Sequence, residues 1–395
     1  MAKQWQSPSI EFDFICYLFS EFVSADGFTK DFAKKGDLDW HRVLGLIHHH
    51  RFEAVAKRYV EKCPEGAPEN FIDQVKTIYK QKCLKNLQLV GYLNIFRQLF
   101  EAHDISFIVI KGPLLSQALY GDINTRFSGD LDILIDQEDI QKAHELLLEK
   151  GFTPLRQEGF EDYVRLYFWS QKDLAYIYEN QFRVEIHTRL EVNHALFPLK
   201  MSDWDKYTQM QVYGGNEYRI FKDEIQLIYL AFHGTKHLWQ RLFWLLDVAQ
   251  LSKRFSAEKK AGLVTLSKRF KSQYAFKSAL RFADCFTEGG LLKGDTKALE
   301  PFSSIYNDYW MRDDIAIREP ESAAKRIMKR FCYRSYKAYY FRGVKVWAYD
   351  FASMFFLPGG NEFKFAKLPY RFRWGYFALR PVLLTKRILI RGKSL

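Results

Sequence analysis

The chain has 395 residues, a formal net charge of +12, and an unusually large aromatic complement that includes 35 Phe and 23 Tyr. That length allows two or three domains with ordinary buried cores. Five scattered cysteines without a CxxC pair argue against a disulfide framework or a zinc site, and no uninterrupted apolar run reaches the ~18 residues of a membrane span. An N-terminus without a basic-then-apolar leader pattern completes an expectation of a reducing cytoplasm. The charge is uneven: residues 323–395 hold 17 of the 59 Lys and Arg but only Asp350 and Glu362 of the 47 acids, so the remainder is slightly acidic.

Taken in order, residues 1–103 read as a helical region. Asp37-Leu38-Asp39-Trp40 precedes a stretch whose apolar residues recur at three- and four-residue intervals, which makes the Asp pair a helix N-cap. Pro64 to Pro68 breaks that pattern, and Asn70 to His103 resumes it as one long amphipathic helix. His48-His49-His50 is expected to be solvated and carries no assigned function.

Residues 104–200 change character. Phe107 to Ile110 is a short apolar run of strand type, followed by Lys111-Gly112-Pro113 and a helix from Pro113 to Tyr120, with Pro at its first turn. Asp130-Leu131-Asp132-Ile133-Leu134-Ile135 alternates with period two, so both carboxylates share one strand face and Leu131 and Ile133 the other. Gln137 to Lys150 reads as a helix stopped by Gly151. Two acids one strand-step apart, facing a glycine turn, suit a divalent cation that keeps a polyphosphate as its remaining ligand.

An aromatic run from Tyr163 to Ser170 is a further strand candidate. Leu174 to Tyr178 and Phe182 to His187 read as a hairpin around Glu179-Asn180-Gln181. Arg183, Glu185 and His187 fall on one face of its second arm, so a third carboxylate is available from a later strand. Spacing alone leaves open that Asp130 and Asp132 merely cap a turn and that Glu185 merely pairs with Arg183. Asp37/Asp39 and Asp203/Asp205 repeat the DxD spacing, so the tripeptide itself discriminates little. The surrounding turn, helix and strand are what single out Asp130/Asp132.

Residues 201–322 are expected to be helical, with one strongly periodic stretch from Asp223 to Asp247 and a loop at Glu288 to Gly294. His233 and His237 have helical i, i+4 spacing, but no Glu lies between them and no third ligand is evident, so core or second-layer histidines are the simpler reading. Residues 323–395 interleave bases with Tyr, Phe and Trp. Three readings fit: a helical subdomain with a basic rim, an anionic membrane surface as partner, or RNA bound by phosphate contact and stacking. The aliphatics of Ala378 to Ile390 favour the membrane over RNA.

The segment IKGPLLSQALYGDINTRFSGDLDILI, with the later EIHTRL and HGTKHLWQRLFWLLDVAQL, resembles the signature of an uncharacterised bacterial nucleotidyltransferase family within the polymerase-β-like superfamily. The resemblance implies an α+β fold in which a small mixed-sheet core is flanked by N- and C-terminal helical regions. It implies that Asp130, Asp132 and Glu185 bind Mg²⁺ (Mn²⁺ being the alternative) and carry transfer of an NMP from an NTP to an acceptor, which is a small molecule, protein or RNA. Lys111, Gly112, Ser116, Arg126, Ser128, His187 and His237 are its implied nucleotide-binding positions. Pro113 departs from the superfamily's Gly-Ser and removes a hydroxyl, for which Ser116 or Ser128 is the candidate replacement. A DxD glycosyltransferase using a nucleotide-sugar, and a catalytically silent nucleotide-binding module, are the alternatives. The expected setting is the cytoplasm, with the basic C-terminal region at the inner face of the membrane.

Overall fold

A computed structural model of the chain describes residues 7–24, 27–28, 32, 35–155, 168, 171–179, 182–287, 303–311, 333, 335–358, 360–365 and 367–392. The strand expectation for Tyr163 to Ser170, with Phe168 excepted, and the loop expectation for Glu288 to Gly294 lie outside those residues, apart from what the neighbouring elements show. The architecture is α+β: a seven-stranded mixed sheet between helical layers.

The N-terminal region is helical as its periodicity requires. It comprises α1 (Ile10–Val23), α2 (Trp40–His50), α3 (Glu53–Lys62) and the 33-residue α4 (Glu69–Glu101). Asp39 caps α2 by accepting from the backbone N–H groups of His41 and Arg42, the expected use of an N-cap carboxylate. At about 1.5 Å per residue α4 is roughly 50 Å long. Its early Phe71 and Val75 join one hydrophobic core, and its later Leu93, Phe96 and Phe100 join another. Only His48 of the histidine run is partly exposed: His49 and His50 are buried, and their Nε2 atoms lie 2.9 Å from the carbonyl oxygens of Tyr309 and Trp310. A segment 260 residues away covers the end of α2, which local sequence cannot disclose.

Strands β1 (Phe107–Val109), β2 (Leu131–Ile135), β3 (Thr153–Pro154), β4 (Asp173–Tyr178) and β5 (Phe182–His187) follow, with α5 (Pro113–Tyr120) and α6 (Ile140–Glu149) between them. After the short α7 (Trp204–Tyr207) come β6 (Thr208–Tyr213) and β7 (Asn216–Phe221). The spatial order is β3-β4-β5-β2-β1-β7-β6. β6 and β7 correct the expectation of continuous helix after residue 200. Gly214 and Gly215 both have positive φ, as a two-residue hairpin turn demands. β7 then pairs parallel to β1 and extends the sheet beyond the segment that carries the acids.

Leu131, Ile133 and Ile135 pack with Leu174, Val184 and Ile186 in a core shared with α4 and α6. On the opposite face, Ile108 and Leu134 join the larger core built from α1–α3 and from α8 (Asp223–Lys236), α9 (Leu242–Ser252), α10 (Ala257–Arg269) and α11 (Gln273–Thr287). The periodic stretch from Asp223 to Asp247 is thus two helices, not one. A Cβ on Gly234 would stand 2.0 Å from the Trp239 ring. The absence of that atom lets the indole fold back over α8, and Leu238 and Trp239 take positive φ to make the turn. Beyond α12 (Ser303–Trp310) the described C-terminal helices are α13 (Val344–Phe355), α14 (Gly360–Phe365) and α15 (Gly375–Gly392). No helix among the described residues is long and apolar enough to cross a membrane.

Candidate active site

The parallel pairing of β2 with β5 sets Asp132 directly opposite Glu185. Because alternate residues of both strands are committed to the α4/α6 core, Asp132, Arg183, Glu185 and His187 project together from the other face. Ligand atoms of Asp132, Glu185 and His187 lie within 4.8 Å of one another. His187 Nε2 is 3.1 Å from Asp132 Oδ1 and 3.5 Å from Glu185 Oε2. Arg183 donates to Glu185 Oε1 at 2.5 Å.

Lys111 closes the group from the turn after β1, with Nζ 3.1 Å from Asp132 Oδ2. Burial pushes the Asp132 carboxyl up, but Lys111 and the hydrogen bond and charge of His187 outweigh it and hold the group well below the ordinary carboxylate range. Asp130, two residues earlier, goes the other way. Burial and the nearby Asp132 carboxylate raise it, with Glu185 adding to the repulsion and Lys111 opposing. One carboxylate of the pair is satisfied and the other is not, a division typical of like charges crowded in one site.

Gly112, at φ +91°, caps the start of α5. Any Cβ there would be strained in the left-handed region and would meet Leu131 Cδ2 at 3.4 Å. Gly112 thus sets the N-terminal end of α5 next to Lys111 in the chain, the end of a helix whose dipole favours anions.

Three other positions expected from the resemblance form a brace next to this cleft. Ser116 Oγ donates to the Asp122 carbonyl at 2.6 Å and accepts from Arg126 N–H at 2.9 Å. Arg126 Nη1 donates to Ser128 Oγ at 3.1 Å, and its Nε donates to Asp247 Oδ2 at 2.8 Å. Tyr120 Oη donates to the other Asp247 oxygen at 2.8 Å. Arg126 and Asp247 are buried. Burial works against charge on the guanidinium, but Asp247 outweighs it and pushes Arg126 up. The loop that delivers the acids is thereby fastened to α9.

His237 lies at the end of α8, beside His233 and Trp244, with ring centroids 4.6 and 5.6 Å distant. Burial, then the charges of Lys236 and Lys111, lower His237 to about 3, so it is neutral at physiological pH.

Several site residues escaped the sequence reading. Lys172 Nζ is 3.0 Å from His187 Nδ1 and pairs with Asp173, whose carboxylate is 3.5 Å from the same nitrogen. Lys236 Nζ pairs with buried Glu191 at 2.6 Å. The β4–β5 register brings Asp173 opposite His187, so only a correct hairpin alignment would have found it. The other DxD pairs play no part: Asp203 pairs with Arg269 and Asp205 with Arg219.

A family model described as "Uncharacterised nucleotidyltransferase" matches residues 36–288, more than half of the chain. The chain belongs to this nucleotidyltransferase family. Among solved structures, a lincosamide antibiotic adenylyltransferase, LnuA, in its lincomycin-bound form is 17% identical, with a TM-score of 0.28, 40% of this chain covered and 94% of that one. An antigenic nucleotidyltransferase-like protein from Paracoccidioides brasiliensis is 14% identical, with a TM-score of 0.30, 54% of this chain covered and 92% of that one. Comparison with curated proteins gives no match.

Proposed function

We propose that this nucleotidyltransferase moves an NMP from an NTP to an acceptor hydroxyl at the Asp130–Asp132–Glu185 cleft, in the cytoplasm. The observation that carries the reading is the register pairing of Asp132 with Glu185, with Lys111 against Asp132. The donor set fits a divalent ion. Carboxylate oxygens predominate in it, as Mg²⁺ prefers and Mn²⁺ accepts, and the crowding that raises Asp130 is what a bound cation relieves. Asp132, Glu185 and His187 are the convergent ligand group, and Asp130, two residues before Asp132 on the chain, is assigned as a further carboxylate ligand. When bound, such an ion supplies charge neutralisation to the polyphosphate and to the oxygens that attack and leave.

The chain's own groups have separate tasks. Lys111 exchanges Asp132 for phosphate oxygens as the NTP enters, and the Gly112 turn at the start of α5, where Pro113 offers no N–H, lets the chain approach the phosphates closely. Glu185 takes the proton of the acceptor hydroxyl, whose oxygen bonds to the α-phosphorus as the bond to the β-phosphate oxygen breaks and pyrophosphate departs. His187 holds Asp132 in place from its Nε2 side, and Lys172 and Asp173 hold His187. Ser116, Arg126 and Ser128 brace the loop that carries the acids, and His237 is kept as a further nucleotide contact on the resemblance alone.

The test is label transfer from radiolabelled ATP, GTP, CTP or UTP into a cell extract with Mg²⁺. Transfer by the wild type, lost in both Asp130→Asn and Asp132→Asn, is the expected result. Transfer that survives both substitutions would remove the site assignment.

A further inference from the structure

The C-terminal helices display what a folded core normally hides. Val344, Trp347 and Phe351 are 87, 63 and 54% exposed. Their i, i+3, i+7 spacing puts them on one face of α13, and the Phe355 ring continues that face 5.0 Å from Phe351. Phe372 and Trp374, on the turn before α15, are 56 and 54% exposed, with Arg371 and Arg373 lying over their rings. An apolar surface of this extent on a folded chain marks an interaction site.

Charge identifies the partner. Between residues 333 and 392 the only acids are Asp350 and Glu362, and both are engaged inward. Glu362 is buried and takes Arg380, and Asp350 accepts from Asn193 at 3.0 Å. Lys345, Arg342, Lys367 and Arg371 are exposed. Thus the described residues of this segment offer exposed cations, while both of its carboxylates already have partners. Two copies of this chain meeting through that face would oppose like charges. An exposed aliphatic and aromatic face on α13, in a segment rich in exposed bases, instead matches the interface of an anionic bilayer, where indole and phenyl rings sit at headgroup depth beside Lys and Arg.

The inner side of α13 touches the active-site strand's own continuation. Asn193 donates to the Val346 carbonyl at 3.1 Å, and the His194 and Tyr349 rings lie 5.6 Å apart. Asn193 follows Glu185 and His187 by a few residues, so roughly one helix diameter, ~10 Å, separates this segment from the outward stripe. We propose that the outer face of α13, together with the Arg371–Trp374 turn, docks on an anionic lipid surface and holds the nucleotide site against an acceptor carried by that surface. The acceptor half of this inference rests on the transferase reading; the docking half does not.

The full-length protein is mixed with sedimentable vesicles of phosphatidylcholine alone or with about a third phosphatidylglycerol. Expected is binding to the second kind only, weakened by high salt and at least ~10-fold weaker in Trp347→Ser/Phe351→Ser, whose unfolding temperature stays at the wild-type value because both side chains are exposed. Equal binding by that variant, or no binding by the wild type, overturns the docking, as does self-association that the same variant abolishes or displacement of the vesicles by single-stranded RNA. For the acceptor, labelled NTP is supplied with a membrane extract. Label that partitions with the lipid phase and falls in the variant supports it. Label confined to water-soluble product, formed equally fast by wild type and variant, overturns the acceptor half and leaves nucleotidyl transfer standing. If no Asp132-dependent label forms at all, the transferase reading and the acceptor half fail together, while the vesicle result decides the docking alone.

Discussion

Lys111 Nζ sits 3.1 Å from Asp132 Oδ2, so the proposed metal-binding carboxylate is already neutralised by an ammonium from the neighbouring turn. This pair competes with a divalent ion for the same oxygen. Replacing Lys111 by Met should therefore strengthen the thermal stabilisation produced by Mg²⁺ without nucleotide, since a ligand stabilises by an amount that grows as its Kd falls. The same variant should lose at least ~10-fold in NTP transfer through the missing phosphate contact. Asp132→Asn should abolish the Mg²⁺ effect. Thermal shifts across a Mg²⁺ titration settle the matter, and equal shifts in wild type and Lys111→Met would remove this competition.

The Arg126–Asp247 pair is buried on both sides. Leaving one buried charge without its partner costs about 3–5 kcal/mol, whereas an apolar replacement of both is far milder. Asp247→Asn should destabilise by that order, and Arg126→Met/Asp247→Leu by less than the sum of the single changes. Tyr120→Phe removes one hydrogen bond to Asp247 and should cost about 1 kcal/mol. Urea unfolding of the wild type, Arg126→Met, Asp247→Leu and Arg126→Met/Asp247→Leu closes a double-mutant cycle; strict additivity would show that the pair is not coupled.

His50 is held as the neutral imidazole. Its Nε2 lies 2.9 Å from the Trp310 carbonyl, and its Nδ1 accepts from Leu242 N–H at 3.3 Å. Burial, then the charge of His49, keeps it well below the ordinary histidine range. Below a pH of about 6.5 the unfolded chain binds a proton that the native site refuses. Stability should consequently be full above that pH and fall as pH drops below it, by up to ~1.4 kcal/mol per pH unit for this group. His50→Gln, neutral at every pH, should lower overall stability yet flatten this acid limb. An unchanged slope between pH 6.5 and 5 would assign the limb to other groups, of which His233 and His237 are shifted in the same direction.

Gly234 lets the Trp239 ring approach to a distance no Cβ permits. Gly234→Ala should cost at least ~1–3 kcal/mol through overpacking of a fully buried indole. Gly234→Ala/Trp239→Leu should recover part of that loss, because the smaller side chain vacates the space. Thermal unfolding of both variants reads this directly, and a neutral Gly234→Ala would show that the turn relaxes freely.

The strands carrying Asp132, Glu185 and His187 were legible because alternation with Leu131, Ile133, Val184 and Ile186 leaves only one way to bury the apolar set. α4 was legible from its unbroken period. The hairpin of β6 and β7 was missed although Gly214-Gly215 is a turn signal, because Met210 and Val212 lie on an exposed edge strand and Gln209 and Gln211 obscure its alternation. Lys172, Asp173, Glu191 and Asp247 were not assigned to the site since each finds its partner through tertiary packing. The burial of His49 and His50 beneath residues 309–310 has the same origin.

The sheet order gives β1 a neighbour on each side: β2 from within the acid-bearing segment, and β7 from beyond it. A fragment ending near residue 200 would retain every proposed metal ligand yet expose the backbone donors and acceptors of β1 as a new edge, and it would lack Asp247 to fasten the loop. Such an excised piece is poised to aggregate by strand addition. The catalytic segment is thus not a transplantable cassette, and recombination within this family should respect a crossover boundary after β7 rather than after β5.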